Sequence, residues 1–248
     1  MRKKEIWCNI LLPAFITVVW AILQLLPETQ EDSPQWLKCT NDHNILIGFI
    51  ITVIILLIMI ILNLAHTQQK KWLNAYLKDL IKSTFNGDYA KVRITVFKKK
   101  KKKLKIYGRE GQPKNTTTKF KVVKDLKDAH GIASYCECSK TKKIVDTEYI
   151  DDFYDKNKQI DTSNYNTSQY PKLTKYLRAT FMTEETLKLI HRPSNHLYAS
   201  PICDNEENTW GVFVVDICDK NDNVFTDVVV KKLDDAVRVI SLTLNIIK

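Results

Sequence analysis

From Ile45 to Leu62 the chain carries no charge, and Gly48 and Thr52 are the only small or polar breaks in a run of large apolar residues. A helix rises about 1.5 Å per residue, so roughly 20 such residues cross a hydrocarbon core about 30 Å thick. The run is therefore expected to span a membrane. Near residue 65 the character changes, and the rest of the chain reads as one basic, water-soluble domain.

A second apolar stretch, Ile6 to Leu26, comes after Met1-Arg2-Lys3-Lys4. Basic-then-apolar is also the pattern of a cleaved signal peptide. Two features oppose that: the run is long for a signal core, and Leu25-Leu26-Pro27-Glu28 offers no pair of small residues to cut beside. Two retained spans are expected, about 6–26 and 44–64, forming a hairpin over residues 1–65.

Charge sets the direction. Arg2, Lys3 and Lys4 precede the first span, and Lys70 and Lys71 come after the second. The loop between them carries Glu28, Glu31, Asp32 and Asp42 against Lys38 alone. Lys and Arg collect on the cytoplasmic side. The expectation is a multi-pass protein of a bacterial inner membrane with both termini in the cytoplasm. Neither span has a charge at its centre, which disfavours a wide polar channel lined by one copy.

The whole chain has 248 residues and a net charge of +10. The part after the hairpin, residues 66–248, is long enough for one core-bearing domain. Its basic balance is partly what a domain beside an anionic leaflet needs, so it does not by itself argue for nucleic acid. Cys136-Glu137-Cys138, read as a strand, would put two thiols on one face. With Cys203 and Cys218 they match no common zinc spacing, and no metal is expected.

Residues 66–85 show Leu73, Leu77, Leu80 and Thr84 at helical spacing, ended by Asn86-Gly87. Nothing breaks the chain between this helix and the second span, so one continuous rod is expected. Next in the chain is a hairpin: Val92, Ile94 and Val96 alternate with Lys91, Arg93 and Thr95, and Leu104 and Ile106 alternate with Lys103, Lys105 and Tyr107. Between lies an unbroken basic run, Lys98, Lys99, Lys100, Lys101, Lys102 and Lys103. It reads either as a solvated tip or as a lipid-facing patch. A nucleic-acid polymer is disfavoured, because no aromatic residues interleave for bases to stack on.

His130 to Cys136 leads into a short strand, and Ile144-Val145-Asp146 makes another. Asp151 to Tyr170 reads as a loop, Pro171 to Phe181 as a helix, and a further helix starts near Thr183. Leu197 to Cys203 and Trp210 to Ile217 are strands, the second strongly apolar. A closing amphipathic helix from Thr226 carries Val229, Leu233, Val237, Ile240, Leu244 and Ile247 on one face. The fold class is α+β: a central antiparallel-type sheet with helices on its faces.

On these residues the domain resembles a GAF domain, a PAS-related sensor fold. The resemblance is carried by His130-Gly131-Ile132-Ala133 leading to Ile144-Val145-Asp146, by Ser200-Pro201-Ile202 with Trp210-Gly211-Val212-Phe213-Val214-Val215-Asp216, and by the closing helix. Asp219-Lys220 and Phe225-Thr226-Asp227 stand where cyclic-nucleotide members carry an Asn-Lys, Phe, Asp-Glu signature. The resemblance implies a pocket between the sheet and the helices over it, fed by the segment from Asp146 to Leu197. The residues it implies for ligand binding are Tyr135, Asp146, Tyr154, Arg178, Phe181, Arg192 and Ser200. The architecture is also similar to two-helix effectors of cyclic-nucleotide antiphage signalling.

Catalysis finds no support: there is no glycine-rich phosphate loop, nucleophile elbow, zinc-protease helix or kinase signature. No cofactor is expected. The function expected is a membrane-anchored, homo-oligomeric effector. It would bind a small molecule, a cyclic nucleotide among the candidates, and act on the inner membrane. The alternative is a membrane-tethered scaffold without ligand.

Overall fold

The computed structural model describes residues 44–112, 119–147, 171–188, 193–204, 208–219 and 224–246. The chain divides into two compact units, Met1–Gln69 and Lys70–Lys248. The first expected span, 6–26, and its charged flanks lie outside the described residues.

Helix α1 runs from Asn44 to Thr84 without a break. In the first unit it exposes large apolar side chains, among them Phe49, Ile54, Leu57, Ile61 and Leu64. Among the described residues no helix is long and apolar enough to cross a membrane.

In the second unit α1 turns amphipathic. Leu73, Leu77, Leu80 and Ile81 are buried at the spacing of one helical face. The helix stops where the sequence places the stop. Asn86 and Gly87 take left-handed φ of 51° and 76°, and the Phe85 and Gly87 N–H groups donate to the Ile81 carbonyl.

Six antiparallel strands form one sheet: β1 (Val92–Lys100), β2 (Lys103–Gly111), β3 (Lys119–Lys121), β4 (Lys143–Asp146), β5 (His196–Cys203) and β6 (Thr209–Ile217). Their order is β3-β2-β1-β6-β5-β4, with β1 and β6 in the middle. The remaining helices are α2 (Ile132–Ser139), α3 (Pro171–Thr180), α4 (Glu184–Lys188) and α5 (Asp227–Ile246), with a 3-10 turn at Leu126–Asp128. This is the α+β arrangement expected.

Alternation along the strands builds two cores. Ile94, Val96, Tyr198, Phe213 and Val215 pack with Leu73, Leu77 and Ile81 of α1 and with Leu233, Ala236 and Ile240 of α5. Gly108 lets α1 approach the sheet, since a Cβ there would lie 2.6 Å from Leu73 Cδ2. On the other face Phe97, Leu104, Leu197, Val212 and Val214 pack against Ile132, Ala133 and Cys136 of α2.

The expected strand at His130–Cys136 is a helix, α2. Short apolar runs do not distinguish the two by periodicity alone. What decides is burial of Ile132, Ala133 and Cys136, an i, i+1, i+4 set against the sheet. Gly131 starts the helix at φ 90°, where a Cβ would meet the Phe120 ring at 2.5 Å. Lys140 ends it in the left-handed region. The pairing of Cys136 and Cys138 on one face is lost with the strand. Cys136 is buried and Cys138 part-exposed, and both are free thiols.

Candidate ligand site

The site begins with the register of three strands. Arg93 lies opposite Asp216 across β1 and β6, and Thr95 lies opposite Arg109 across β1 and β2. Neighbouring residues on a strand point to opposite faces. Val92, Ile94 and Val96 belong to the core under α1 and α5, and so do Val215 and Ile217. Arg93, Thr95 and Asp216 therefore face the other way, toward the side where α2 packs.

There the polar groups close on one another. The Arg93 guanidinium grips Asp216 with two bonds, Nε to Oδ2 at 3.0 Å and a terminal nitrogen to Oδ1 at 2.8 Å. Ser194 Oγ donates to the same Oδ1 at 2.9 Å. The hydroxyl of Tyr176, on α3, donates to the Ser194 carbonyl at 3.2 Å. Arg109 Nε donates to Thr95 Oγ1 at 3.0 Å. The Arg93 and Asp216 side chains are only 17% and 11% exposed, and Thr95 is buried.

Burial opposes the charge of Arg93, but the Asp216 carboxylate more than offsets it and raises its pKa. Arg109 has the reverse balance. Burial first, then the neighbouring Arg93 charge, bring it down to about 10, with Asp216 acting against both. Burial also drives the Tyr176 hydroxyl upward, so it stays a neutral donor. These groups set two guanidiniums and one carboxylate together on a partly desolvated sheet face. Such a face favours an anion, because charge-assisted hydrogen bonds strengthen as water is excluded.

On the same side of the sheet lies an aromatic pair. Tyr135 on α2 stacks on Phe181, with centroids 3.9 Å apart and planes 13° apart. Lys143 Nζ sits 5.9 and 6.0 Å from the two ring centres. Phe181 holds a left-handed φ of 56°, and its carbonyl accepts from the Gly131 N–H at the start of α2. On α3, Pro171, Thr174, Lys175, Arg178 and Ala179 line a groove of about 500 Å³.

Of the residues implied for ligand binding, Tyr135 and Phe181 come together. Arg178 is exposed on α3 and lines the groove. Asp146 and Ser200 stand on the opposite sheet face. Asp146 comes directly after Val145 of the α2 core, and Ser200 lies between Tyr198 and Ile202 of the α1–α5 core. Asp146 Oδ1 instead meets the buried His196 Nδ1 at 2.8 Å. Tyr154 and Arg192 lie outside the described residues.

Sequence reasoning gave Arg93, Thr95, Arg109, Ser194 and Asp216 no role in ligand binding. One signal pointed to them: Asp216 is the only acid within the apolar strand from Trp210 to Ile217, and a carboxylate buried there requires a cation opposite. The cysteines offer no competing chemistry at neutral pH where they are most buried. Burial pushes the Cys136 thiol up to about 12, far from the thiolate a nucleophile needs. Among the described residues no cluster of His, Cys, Asp and Glu could hold a metal ion.

No known family model matches the chain, and no curated protein matches it. Solved structures to which it is similar include the GAF domain region of a putative membrane protein from Geobacter sulfurreducens PCA, at 10% identity and TM-score 0.45, over 73% of this chain and 97% of that one. Another is entitled the structure of the GAF domain, at 13% identity and TM-score 0.40, over 66% of this chain and 71% of that one. A third is type II free methionine-R-sulfoxide reductase from Thermoplasma acidophilum, at 9% identity and TM-score 0.41, over 70% and 92%.

Proposed function

We propose that the chain is a membrane-anchored sensor whose GAF-like domain binds a small anionic molecule on the β1–β2–β6 face. A nucleotide second messenger is the ligand class favoured. The observation that carries this is the buried Arg93–Asp216–Ser194 cluster with Arg109 beside it. The Tyr135 and Phe181 rings, stacked on each other, belong to the same side of the sheet.

The effector half of the reading rests on the apolar run 45–62 and on the outward apolar side chains of α1. Ligand binding would drive homo-oligomerisation, and the assembled helices would perturb the inner membrane, as an antiphage effector does. Both termini would face the cytoplasm, and the chain itself would carry out no catalysis.

The test is calorimetry on the purified full chain with a panel of cyclic mono- and dinucleotides. Binding is expected for at least one, and Arg109→Ala should weaken it by roughly 1.5–3 kcal/mol, the worth of a charge-assisted hydrogen bond. Tyr135→Ala should weaken it less. No heat from any member, in a chain shown to be folded, would favour the ligand-free scaffold. Binding unaffected by Arg109→Ala would move the ligand off this face. Overexpression with the cognate nucleotide should arrest growth, and a chain shortened to residues 66–248 should not.

A further inference from the structure

Three strands at one end of the sheet set lysine directly against lysine. Lys98 opposes Lys105 and Lys100 opposes Lys103 across β1 and β2. Lys103 in turn opposes Lys121 across β2 and β3. Opposed residues share a face, and Lys98 shows which one. Its Nζ lies 5.4 Å from the Tyr107 ring centre and 4.7 Å from that of Trp210, both part of the α1–α5 core. The five lysines thus line the sheet face that α1 covers farther along. Lys101 and Lys102 add two more cations at the turn, with Lys101 at a φ of 54°.

Like charges directly opposite on a sheet destabilise it; of these lysines, Lys98 sits over the Tyr107 and Trp210 rings. Lys99 points to the other face and meets the buried Glu137 at 2.6 Å. Lys100, Lys103, Lys105 and Lys121 are exposed, and among the described residues no carboxylate pairs with them. The repulsion is therefore built into the free domain, and a partner of opposite charge would remove it.

The patch also says what that partner is. It contains no arginine, so it lacks the planar fork that reads nucleic acid. Tyr107 is buried and the Trp210 ring is overlaid by Lys98, so no free ring is left to stack a base. Lys70, where the chain enters this unit, places its Nζ 5.5 Å from the same Tyr107 ring. Upstream of Lys70 in sequence, beyond His66-Thr67-Gln68-Gln69, lies the apolar run of α1, Ile45–Leu62. A bilayer surface meets both conditions at once, offering headgroup charge beside hydrocarbon.

We propose that the lysine face of β1, β2 and β3 docks on anionic lipid headgroups. The inference rests on the membrane half of the proposed function and is independent of the ligand half.

The experiment uses the full chain with vesicles of phosphatidylcholine alone or mixed with phosphatidylglycerol. Two readouts are taken: flotation with the vesicles, and the rate of amine acetylation at each lysine by mass spectrometry. Flotation with neutral vesicles reports anchoring. Slower acetylation of Lys100, Lys103 and Lys121 in anionic than in neutral vesicles, with Lys172 and Lys231 unchanged, reports docking. Added salt should erase the difference.

A triple variant, Lys100→Gln, Lys103→Gln and Lys121→Gln, should lose the anionic preference by roughly five-fold per lysine removed. Its melting temperature should not fall, because the substitutions delete opposed like charges. Anchoring without any compositional difference would overturn the docking face and leave the anchor standing. Flotation only with anionic vesicles would uphold the face and overturn the anchor. Stronger protection by duplex DNA at equal phosphate concentration would overturn the lipid assignment.

Discussion

The two faces of the sheet are built from the same strands and differ in kind. The core under α1 and α5 is apolar from Leu73 to Leu244, with large rings such as Phe213 and Tyr198 at its centre. The opposite face is apolar only in part. Phe97, Leu197, Val212 and Val214 meet α2 there, but Arg93, Thr95, Arg109 and Asp216 occupy the neighbouring register positions. Under α1 and α5 the first face does little except hold the domain together; its uncovered end carries the lysines. The other spends burial on charge, which is weak evidence for stability and better evidence for a task. A domain that binds something needs this division, because packing that is only apolar leaves nothing to orient a ligand.

The comparison breaks first at its strongest point. Phe213 is fully buried among the residues under α1 and α5. Phe213→Ala should cost about 3–5 kcal/mol in denaturant unfolding, through lost transfer energy and the cavity left behind. A cost below about 1 kcal/mol would mean that this face is not the structural one.

Next comes the polar face. Arg93→Ala leaves the Asp216 carboxylate buried with Ser194 Oγ bonded to it and the more distant Arg109 charge. The expected loss is about 3 kcal/mol, near the low end for breaking a buried pair, since both groups keep some exposure. The double variant Arg93→Ala/Asp216→Ala should recover part of that loss in a double-mutant cycle. Simple additivity would show that the pair is not coupled as the geometry implies.

Smaller still is Tyr198→Phe. This removes the hydroxyl bond of 2.6 Å to Asp234, which Lys142 also contacts at 2.8 Å. About 1 kcal/mol is expected, with ligand affinity unchanged, because Tyr198 belongs to the other face.

The last effect is one of pH. Cys136 is buried against α2's side of the sheet, its thiol bonded to the Ala199 carbonyl, and burial raises it from 9.0 to about 12. A raised acid keeps its proton in the folded state and releases it in the unfolded state. Its contribution is whole below pH about 9 and falls away as pH rises toward about 12. Cys136→Ala should flatten the stability profile across that alkaline window. An unchanged slope would mean the thiol is not as buried as the packing requires.

Much of this architecture was legible without coordinates. The stripe Leu73, Leu77, Leu80 announced a helix, and Asn86-Gly87 announced its end. Alternation at Val92, Ile94 and Val96 announced a strand, and the apolar run at Val212–Val215 announced a central one. These signals are local: each depends on the period of one element against one core. The candidate site was less legible. Arg93 and Thr95 alternate with apolar residues as solvent-facing residues do, and nothing in β1 says that a second layer covers them. Ile132 to Cys136 was misread for a related reason, since a short apolar run takes its conformation from what it packs on.

What the sequence determined by itself was the periodic framework and its boundaries: α1 and its stop, the hairpin around the lysines, the apolar β6 and the closing helix α5. These come from side-chain periodicity and from residues that tolerate left-handed backbone. What only the tertiary structure decided was which polar residues are buried and beside whom. Arg93 and Asp216 lie far apart in the chain and become partners through strand register, a long-range property. The same register sets Lys103 between Lys100 and Lys121. Charge can be counted along a sequence, but whether it is neutralised depends on what the fold places opposite it.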